Sequence, residues 1–432
     1  MIRLRFIFLA GVLSAALAWG DIEPKSPSKL DGAFVITEQS PTLDWWVRVP
    51  ANTGAHVTNV QRVYRGQRVS LIPFVKGYSL SGQDRFDLSY SLFKKIGEQT
   101  QPILTDYRIS GTSHDPDMLQ VPAQFVGLTF ADNDPVGTYS FTVEFRDLLT
   151  GQTFQKEQQV ELAEWVQPEE DRFTPEQLQL GHIMYCMNPD PDWLWLSFLS
   201  DEVSFEQSGS AWGYNFVLLS FYKYAFDKYM FLVPKLDAHF KEASAVQRLK
   251  IILLYALLGQ PEIDAGRLSV DEAAYQSQVR EIKFPEPYAK LSAPSDIDWL
   301  WGEFFATGLY APLKRMCEGF ELLPYAKAPE RVLRESKDTK EPVSDEHVDE
   351  FWKGKAFAGL LQSVIGNAAR SQLAKQYLAY ILENEKLSKN SQALLTAVMR
   401  KIWPERYPGA SVNPANISTP VAAPNVIVPS MP

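Results

Sequence analysis

The chain of 432 residues is 45% apolar and carries a formal net charge of −10 at neutral pH. That length and apolar share allow two or three domains, each with a core of its own. An acidic chain without a basic run is a poor ligand for nucleic acid or anionic lipid.

The first element is a leader. Residues 1–20 read as a secretory signal peptide: Arg3 and Arg5 form a positive start, and residues 6–17 are apolar yet too short to span a bilayer. Small residues at Ala16 and Ala18, or at Ala18 and Gly20, suit a cleavage site. The mature chain, more acidic still without Arg3 and Arg5, is expected in a periplasm or outside the cell, with no stable membrane insertion. No cysteine lies near the cleavage positions to carry a lipid anchor. One glycosylation sequon, Asn416-Ile417-Ser418, and two cysteines fit a bacterial exported protein. Cys186 and Cys317 are a candidate disulfide; two buried thiols are the alternative.

Residues 21–31 form a polar linker with Pro and Ser. From Gly32 the pattern becomes short runs rich in Val, Phe, Tyr and Thr, at 33–37, 45–49, 69–75, 86–93, 103–109 and 125–130. Gly, Pro, Asp and Ser punctuate them, which predicts a β-sandwich over 32–166. Residues 137–162 are its clearest piece. Tyr139, Phe141, Val143 and Phe145 alternate with Ser140, Thr142, Glu144 and Arg146, so this strand buries one face. A loop from Asp147 to Gly151 returns the chain as a hairpin. The stretch Asp134-Pro135-Val136-Gly137-Thr138-Tyr139 resembles the approach to the penultimate strand of immunoglobulin-like domains. The resemblance implies an immunoglobulin-like antiparallel fold and carries no activity.

After the acidic linker 167–172 the period switches from two to 3.6, and 174–406 reads as an all-α domain of stacked antiparallel helix hairpins. Thr174-Pro175-Glu176-Gln177 and Ser269–Glu272 are capping boxes. Residues 251–258 form a buried helix stopped by Gly259 and Pro261. Phe357, Leu360, Leu361, Val364 and Ile365 make one helix stripe, and Leu394, Leu395, Val398, Met399 and Ile402 another. Asp192-Trp193-Leu194-Trp195-x-x-Phe198 recurs as Asp298-Trp299-Leu300-Trp301-x-x-Phe304, the echo of a duplicated helical unit. Residues 335–350 read as a charged loop. Residues 407–432, rich in proline and uncharged from Pro408 on, read as a disordered tail.

Motifs that carry a mechanism are absent from the sequence: no H-E-x-x-H, G-x-S-x-G, phosphate-binding glycine loop or C-x-x-C. The Ser–Lys pairs at 26/29, 91/94 and 220/223 lack the companion motifs of a serine acyl-enzyme. His347, within a run of acids at 345–350, reads as an acidic helix start. Asp115, Asp117, Asp132 and Asp134, with Asn133, occupy two loops and are candidate calcium ligands; otherwise they are turn formers, and no other cofactor is expected. Residues 211–233 hold nine aromatics, for core packing or for a groove that takes sugars or peptides. The candidate ligand-binding residues are Trp193, Trp195, Trp299, Trp301 and Glu303.

Two functions compete. One is a non-enzymatic binding or scaffold protein of a bacterial envelope, with a protein or polysaccharide partner; beside it stands a chain tethered to a larger secretion or cell-surface assembly, with the Pro-rich tail as docking peptide. The other is a carbohydrate-active hydrolase or lyase, which needs paired carboxylates. Glu303, Asp296 and Asp298 are the candidates for that pair.

Overall fold

The computed structural model describes residues 29–38, 59–82, 84–117, 119–121, 126–205, 214–339 and 344–409. The expected leader, the run 45–49, the sequon and the tail beyond 409 lie outside the described residues, as does the start of the run 125–130. The chain divides into two compact units. Of the described residues, 29–38, 59–168 and Lys228–Lys235 belong to the first; Glu169–Asp227 and the chain from Leu236 belong to the second. The first half is built of strands and the second of helices.

In the first unit the strands are β1 (Asp31–Thr37), β2 (Arg62–Tyr64), β3 (Arg68–Lys76), β4 (Arg85–Ile96), β5 (Gln99–Thr112), β6 (Val126–Thr129), β7 (Gly137–Asp147) and β8 (Thr153–Ala163). They form a three-stranded sheet, β1-β3-β6, and a five-stranded sheet, β2-β8-β7-β4-β5. Every pair is antiparallel except β2 with β8. Apolar side chains of both sheets make one core. Phe34, Ile36, Val69 and Leu71 come from one sheet; Leu88, Tyr90, Tyr139, Phe141, Val143 and Phe145 come from the other. The alternation read along β7 is therefore the alternation of core and outer face.

Two polar devices hold this unit's loops. Asp147, buried at the end of β7, accepts from the amides of Leu149 at 2.8 Å and Ser79 at 2.9 Å. Burial alone would raise its pKa, but the Ser79 and Leu149 amides and the Thr150 hydroxyl outweigh it and hold the carboxyl below its ordinary range. The Tyr139 hydroxyl donates to the Pro135 carbonyl at 2.9 Å, which pins the turn before β7.

At the open edge of the larger sheet, β5 is fourteen residues long. Its register against β4 shifts between Tyr90 and Leu92 and again between Leu92 and Phe93. Pro102 lies in this strand, Asp106 has φ of 49°, and Arg108 pairs across to Asp87. Bulges, a proline and charge are the usual protection of an exposed edge against strand addition.

The segment Lys228–Lys235 belongs to this unit. Lys228 pairs with Glu38 at 3.0 Å, and the Tyr229 hydroxyl donates to the same carboxylate. Phe231 lies against Tyr64 and Trp165, with ring centroids 5.6 and 6.4 Å away. Gly66, at φ +79°, makes room for it: a Cβ there would stand 2.9 Å from the Phe231 Cβ.

Twelve α-helices follow among the described residues. They are α1 (Pro175–Leu180), α2 (Pro191–Leu199), α3 (Phe216–Lys228), α4 (Val233–His239), α5 (Ala245–Leu257) and α6 (Val270–Glu281). Then come α7 (Pro294–Thr307), α8 (Tyr310–Glu318), α9 (Ala328–Thr339), α10 (Asp345–Arg370), α11 (Gln372–Asn384) and α12 (Lys389–Ile402). Both expected capping boxes form, Thr174 with Gln177 at α1 and Ser269 with Glu272 at α6. A third, Ser244 with Gln247, starts α5.

The expected charged loop 335–350 is largely helical. Helix α9 runs in to Thr339, and α10 starts at Asp345 behind a Ser344 cap. Glu, Lys and Arg are good helix formers, so charge density alone does not make a loop. No described helix is long and apolar enough to cross a membrane.

Helix α7 is largely buried, from Asp296 and Ile297 to Phe305 and Ala306, with Asp298 half-buried. It packs against α8, α10 and the 3-10 turn Gly181–Met187. Gly302 lets it meet α3 backbone to backbone. A Cβ at that position would lie 2.2 Å from the Val217 carbonyl oxygen and 2.8 Å from the Phe221 amide. One turn earlier the Ser220 hydroxyl donates to the Trp299 carbonyl at 2.6 Å. Around this crossing the aromatic rings form a lattice. Phe198 meets Tyr222 and Phe226 at 5.4 and 5.0 Å, and Phe221 meets Tyr185 and Trp193 at 5.2 and 5.9 Å.

Two predictions follow from this packing. Gly302→Ala, although alanine favours helix, should lower stability by about 1–3 kcal/mol through overpacking. Gly359→Ala in α10, where a Cβ meets nothing within 4 Å, should instead gain up to about 1 kcal/mol. Urea unfolding of both variants checks the pair.

A further prediction concerns Glu272. Its carboxylate takes Nε and Nη2 of Arg248 at 2.6 and 2.7 Å. The Arg248 bonds first, and the Ser269 amide after them, bring its pKa from 4.5 down to about 2. A depressed carboxyl contributes stability that is full above pH 4.5 and is lost as pH falls towards 2. Thermal melting across that window should show an acid limb that is flatter in Glu272→Gln.

Candidate functional site

The four tryptophans singled out in the sequence are core residues. Trp193, at 6%, is the most exposed of them, and Trp195, Trp299 and Trp301 are more buried still. The Trp193 indole N–H donates to the Gln177 carbonyl at 2.9 Å and that of Trp301 to the Ser363 hydroxyl at 3.0 Å. Trp195 packs against His239 at 5.8 Å. All four rings are buried, so none presents an exposed face to a ligand. The two copies of the echo also start differently. Pro191 opens α2 two residues before Trp193, whereas Pro294 opens α7 five residues before Trp299.

Two of the four candidate calcium ligands, Asp115 and Asp134, serve their own turns. An Asp115 carboxylate oxygen accepts from the Asp117 amide at 2.9 Å, and Asp134 accepts from the Ala131 amide at 2.8 Å. Among the described residues no group of three or more His, Cys, Asp or Glu side chains is placed to hold a metal ion, so Asp115, Asp117, Asp132 and Asp134 do not converge. His347 lies in the first turn of α10, its amide capped by Ser344. Cys186 and Cys317 are both buried and carry no disulfide bond. Burial drives the Cys317 thiol pKa well above its ordinary value.

Of the carboxylate candidates, Asp296 is used locally. Its Oδ2 accepts from the amides of Ser292 at 2.7 Å and Ala293 at 2.8 Å, closing the start of α7. Asp298 is half-buried, and burial pushes its pKa up to about 6. Glu303 is 6% exposed and gathers the most chemistry. Its Oε1 accepts from the Tyr288 hydroxyl at 3.0 Å. Its Oε2 is enclosed with no partner at hydrogen-bond geometry among the described residues. The Tyr224 hydroxyl lies outside that geometry, yet near enough to favour the ionised carboxyl. Burial still dominates and raises the Glu303 pKa against the opposing pull of Tyr288, Tyr224 and Lys223.

The crossing at Gly302 assembles this cluster. Tyr224 is one turn beyond Ser220 on α3, and Glu303 is one turn beyond Trp299 on α7. The Ser220–Trp299 bond therefore brings Tyr224 and Glu303 level. Tyr288 arrives on the connector between α6 and α7, held by the bond from Arg315 Nε to the Pro287 carbonyl at 2.7 Å. Phe284, one turn away in sequence, lies against Trp299 at 5.9 Å. Lys223 stands 4.1 Å over the Tyr224 ring. Sequence reasoning found Glu303 and missed Tyr288 and Phe284. Their only sequence signal is two aromatics spaced by four in Phe284-Pro-Glu-Pro-Tyr288.

A second buried charge is spent on structure. Lys250 donates to the carbonyls of Ser200 at 2.5 Å and Phe198 at 3.4 Å, which caps the end of α2. Burial lowers its pKa to about 8.

No known family's sequence pattern matches the chain. No curated protein sequence matches it either. Distant likenesses exist among solved structures. A family 123 glycoside hydrolase from Clostridium perfringens, described for glycolipid glycan hydrolysis, is 12% identical with a TM-score of 0.19; the match covers 35% of this chain and 31% of that one. Native alpha-2-macroglobulin from Escherichia coli is 9% identical with a TM-score of 0.19, over 86% of this chain and 62% of that one. The Escherichia coli protein activated by porcine elastase is 9% identical with a TM-score of 0.16, over 89% and 36%. The chain thus spans less than two thirds of each of these structures, and likenesses this slight leave their activities with those proteins.

Asp298 supplies the prediction. A carboxyl raised from 3.8 to about 6 costs stability that is absent below pH 3.8 and full above pH 6. Asp298→Asn should therefore melt higher than the parent chain at pH 7, with the gain shrinking to nothing near pH 3.8. A gain equal at both pH values would show that ionisation is not its source.

Proposed function

We propose that the chain is an exported, non-enzymatic binding or scaffold protein of a bacterial envelope, whose first unit is immunoglobulin-like. The sheet orders β1-β3-β6 and β2-β8-β7-β4-β5 support that fold, as does the parallel pairing of β2 with β8. So does the hydroxyl of Tyr139 reaching back to Pro135, the corner that such domains place before their penultimate strand. The observation that carries the binding reading is the enclosure of Trp193, Trp195, Trp299 and Trp301. The aromatic content of the helical unit goes into packing, so recognition falls to helix faces, loops and single polar clusters rather than to a groove of stacking rings. The partner is a protein or a polysaccharide of the envelope. The leader directs the chain to a periplasm or to the exterior.

A carbohydrate-active hydrolase or lyase is the second reading, favoured by Glu303. A carboxyl with a raised pKa beside two phenols has the character of a general acid.

Two measurements test these readings. Mass spectrometry of the exported chain should find a new N-terminus after Ala18 or Gly20; an uncut leader overturns the proposed address. Incubation with a polysaccharide panel should release no new reducing ends. Release by the parent chain that is lost in Glu303→Gln would replace the binding reading with the enzymatic one.

A further inference from the structure

We infer that Glu303 and the rings around it form a binding site for an alkylammonium group, either a free amine or the side chain of a partner's lysine. The inference goes beyond the binding-protein reading and rests on it only where the amine belongs to a protein partner.

The geometry begins with an unmet need. Oε2 of Glu303 is buried without a hydrogen-bond partner among the described residues, while Oε1 is held by Tyr288. A carboxylate removed from water must be neutralised by a proton or by a cation. No ion pair to Glu303 forms within 4.0 Å among the described residues. The nearby cation, Lys223, stands on the face of Tyr224 instead, 4.1 Å from the ring centre. That contact places the chain's own ammonium group on a π surface beside Glu303. The remaining neighbours are electron-rich as well: Trp299 lies one turn from Glu303 on α7, with Phe284 against it, and Tyr288 forms the outer wall. A carboxylate bordered by the phenols of Tyr224 and Tyr288 complements a positive, partly apolar group. An anion would meet repulsion there, and a neutral alcohol would leave the charge uncompensated. The solvent side of the cluster is Tyr288, which is 48% exposed.

Calorimetric titration of the full chain with n-butylammonium chloride, and with n-butanol as its neutral counterpart, tests the site. The ammonium should bind saturably and at least about tenfold more tightly than the alcohol. Glu303→Gln, which keeps the shape and removes the charge, should erase that preference. If the variant does not fold, the comparison of the two probes on the parent chain still decides. Equal affinity for the two probes, no saturable ammonium binding, or an unchanged preference in a folded Glu303→Gln would overturn the inference. A third titration, with a tripeptide carrying a central lysine, separates the sources. Binding points to a partner's side chain, and butylammonium binding alone points to a free amine; both support the site. Failure of the envelope-partner reading would leave the butylammonium result standing, and the reverse also holds.

Discussion

The second unit depends on one close approach. At Gly302 the backbone of α7 touches that of α3, with the Val217 carbonyl where a side chain would otherwise begin. Helices normally keep 8–10 Å between axes because side chains separate them. A single missing Cβ removes that separation here and lets Ser220 reach the Trp299 carbonyl. Once those two backbones are in register, neighbouring side chains have little freedom. Phe221 is directed into the rings of Tyr185 and Trp193. Tyr224 comes level with Glu303, and the indole of Trp301 meets Ser363 on α10. The packing lattice and the one polar cluster of interest are consequences of the same contact.

The first unit solves a different problem. A small two-sheet core is easily built from alternating residues, but its connections must be tied down and its open edge defended. Asp147 and Tyr139 tie the two ends of β7 to the loops beside them. The bulges and Pro102 of β5 defend the edge. Glu38, joined to Lys228 and Tyr229, and Gly66, beneath Phe231, bring in a segment that lies far along the chain. Polar groups do this anchoring because a buried carboxylate needs several donors and so specifies one arrangement of the backbone around it.

Legibility in the sequence followed the range of the interactions. Strand β7, the capping boxes at Thr174 and Ser269 and the stripe from Leu394 to Ile402 are local patterns and were readable as such. The Ser244 box is equally local. Tryptophan chemistry was not readable, because spacing cannot distinguish a ring against a neighbouring helix from one facing a ligand. The charged stretch from 335 to 350 misled for a related reason: its residues suit exposed helix as well as loop. Glu303 could be named as a carboxyl of interest. Its partners could not, since Tyr224 and Tyr288 reach it only through the crossing at Gly302 and the path of a connector. The pairing of Phe231 with Gly66 was equally hidden, being a contact across more than 160 positions of sequence.

The aromatic lattice has an optical consequence. Rings fixed at 5–6 Å in edge-on and tilted geometries, such as Phe198 with Tyr222 and Trp193 with Phe221, are asymmetric chromophores. The helical unit therefore carries a built-in near-ultraviolet dichroism signature that reports on side-chain order separately from helix content. A state that kept its helices but lost the seating of α7 on α3 would stay nearly unchanged in the far ultraviolet and fall silent in the near ultraviolet.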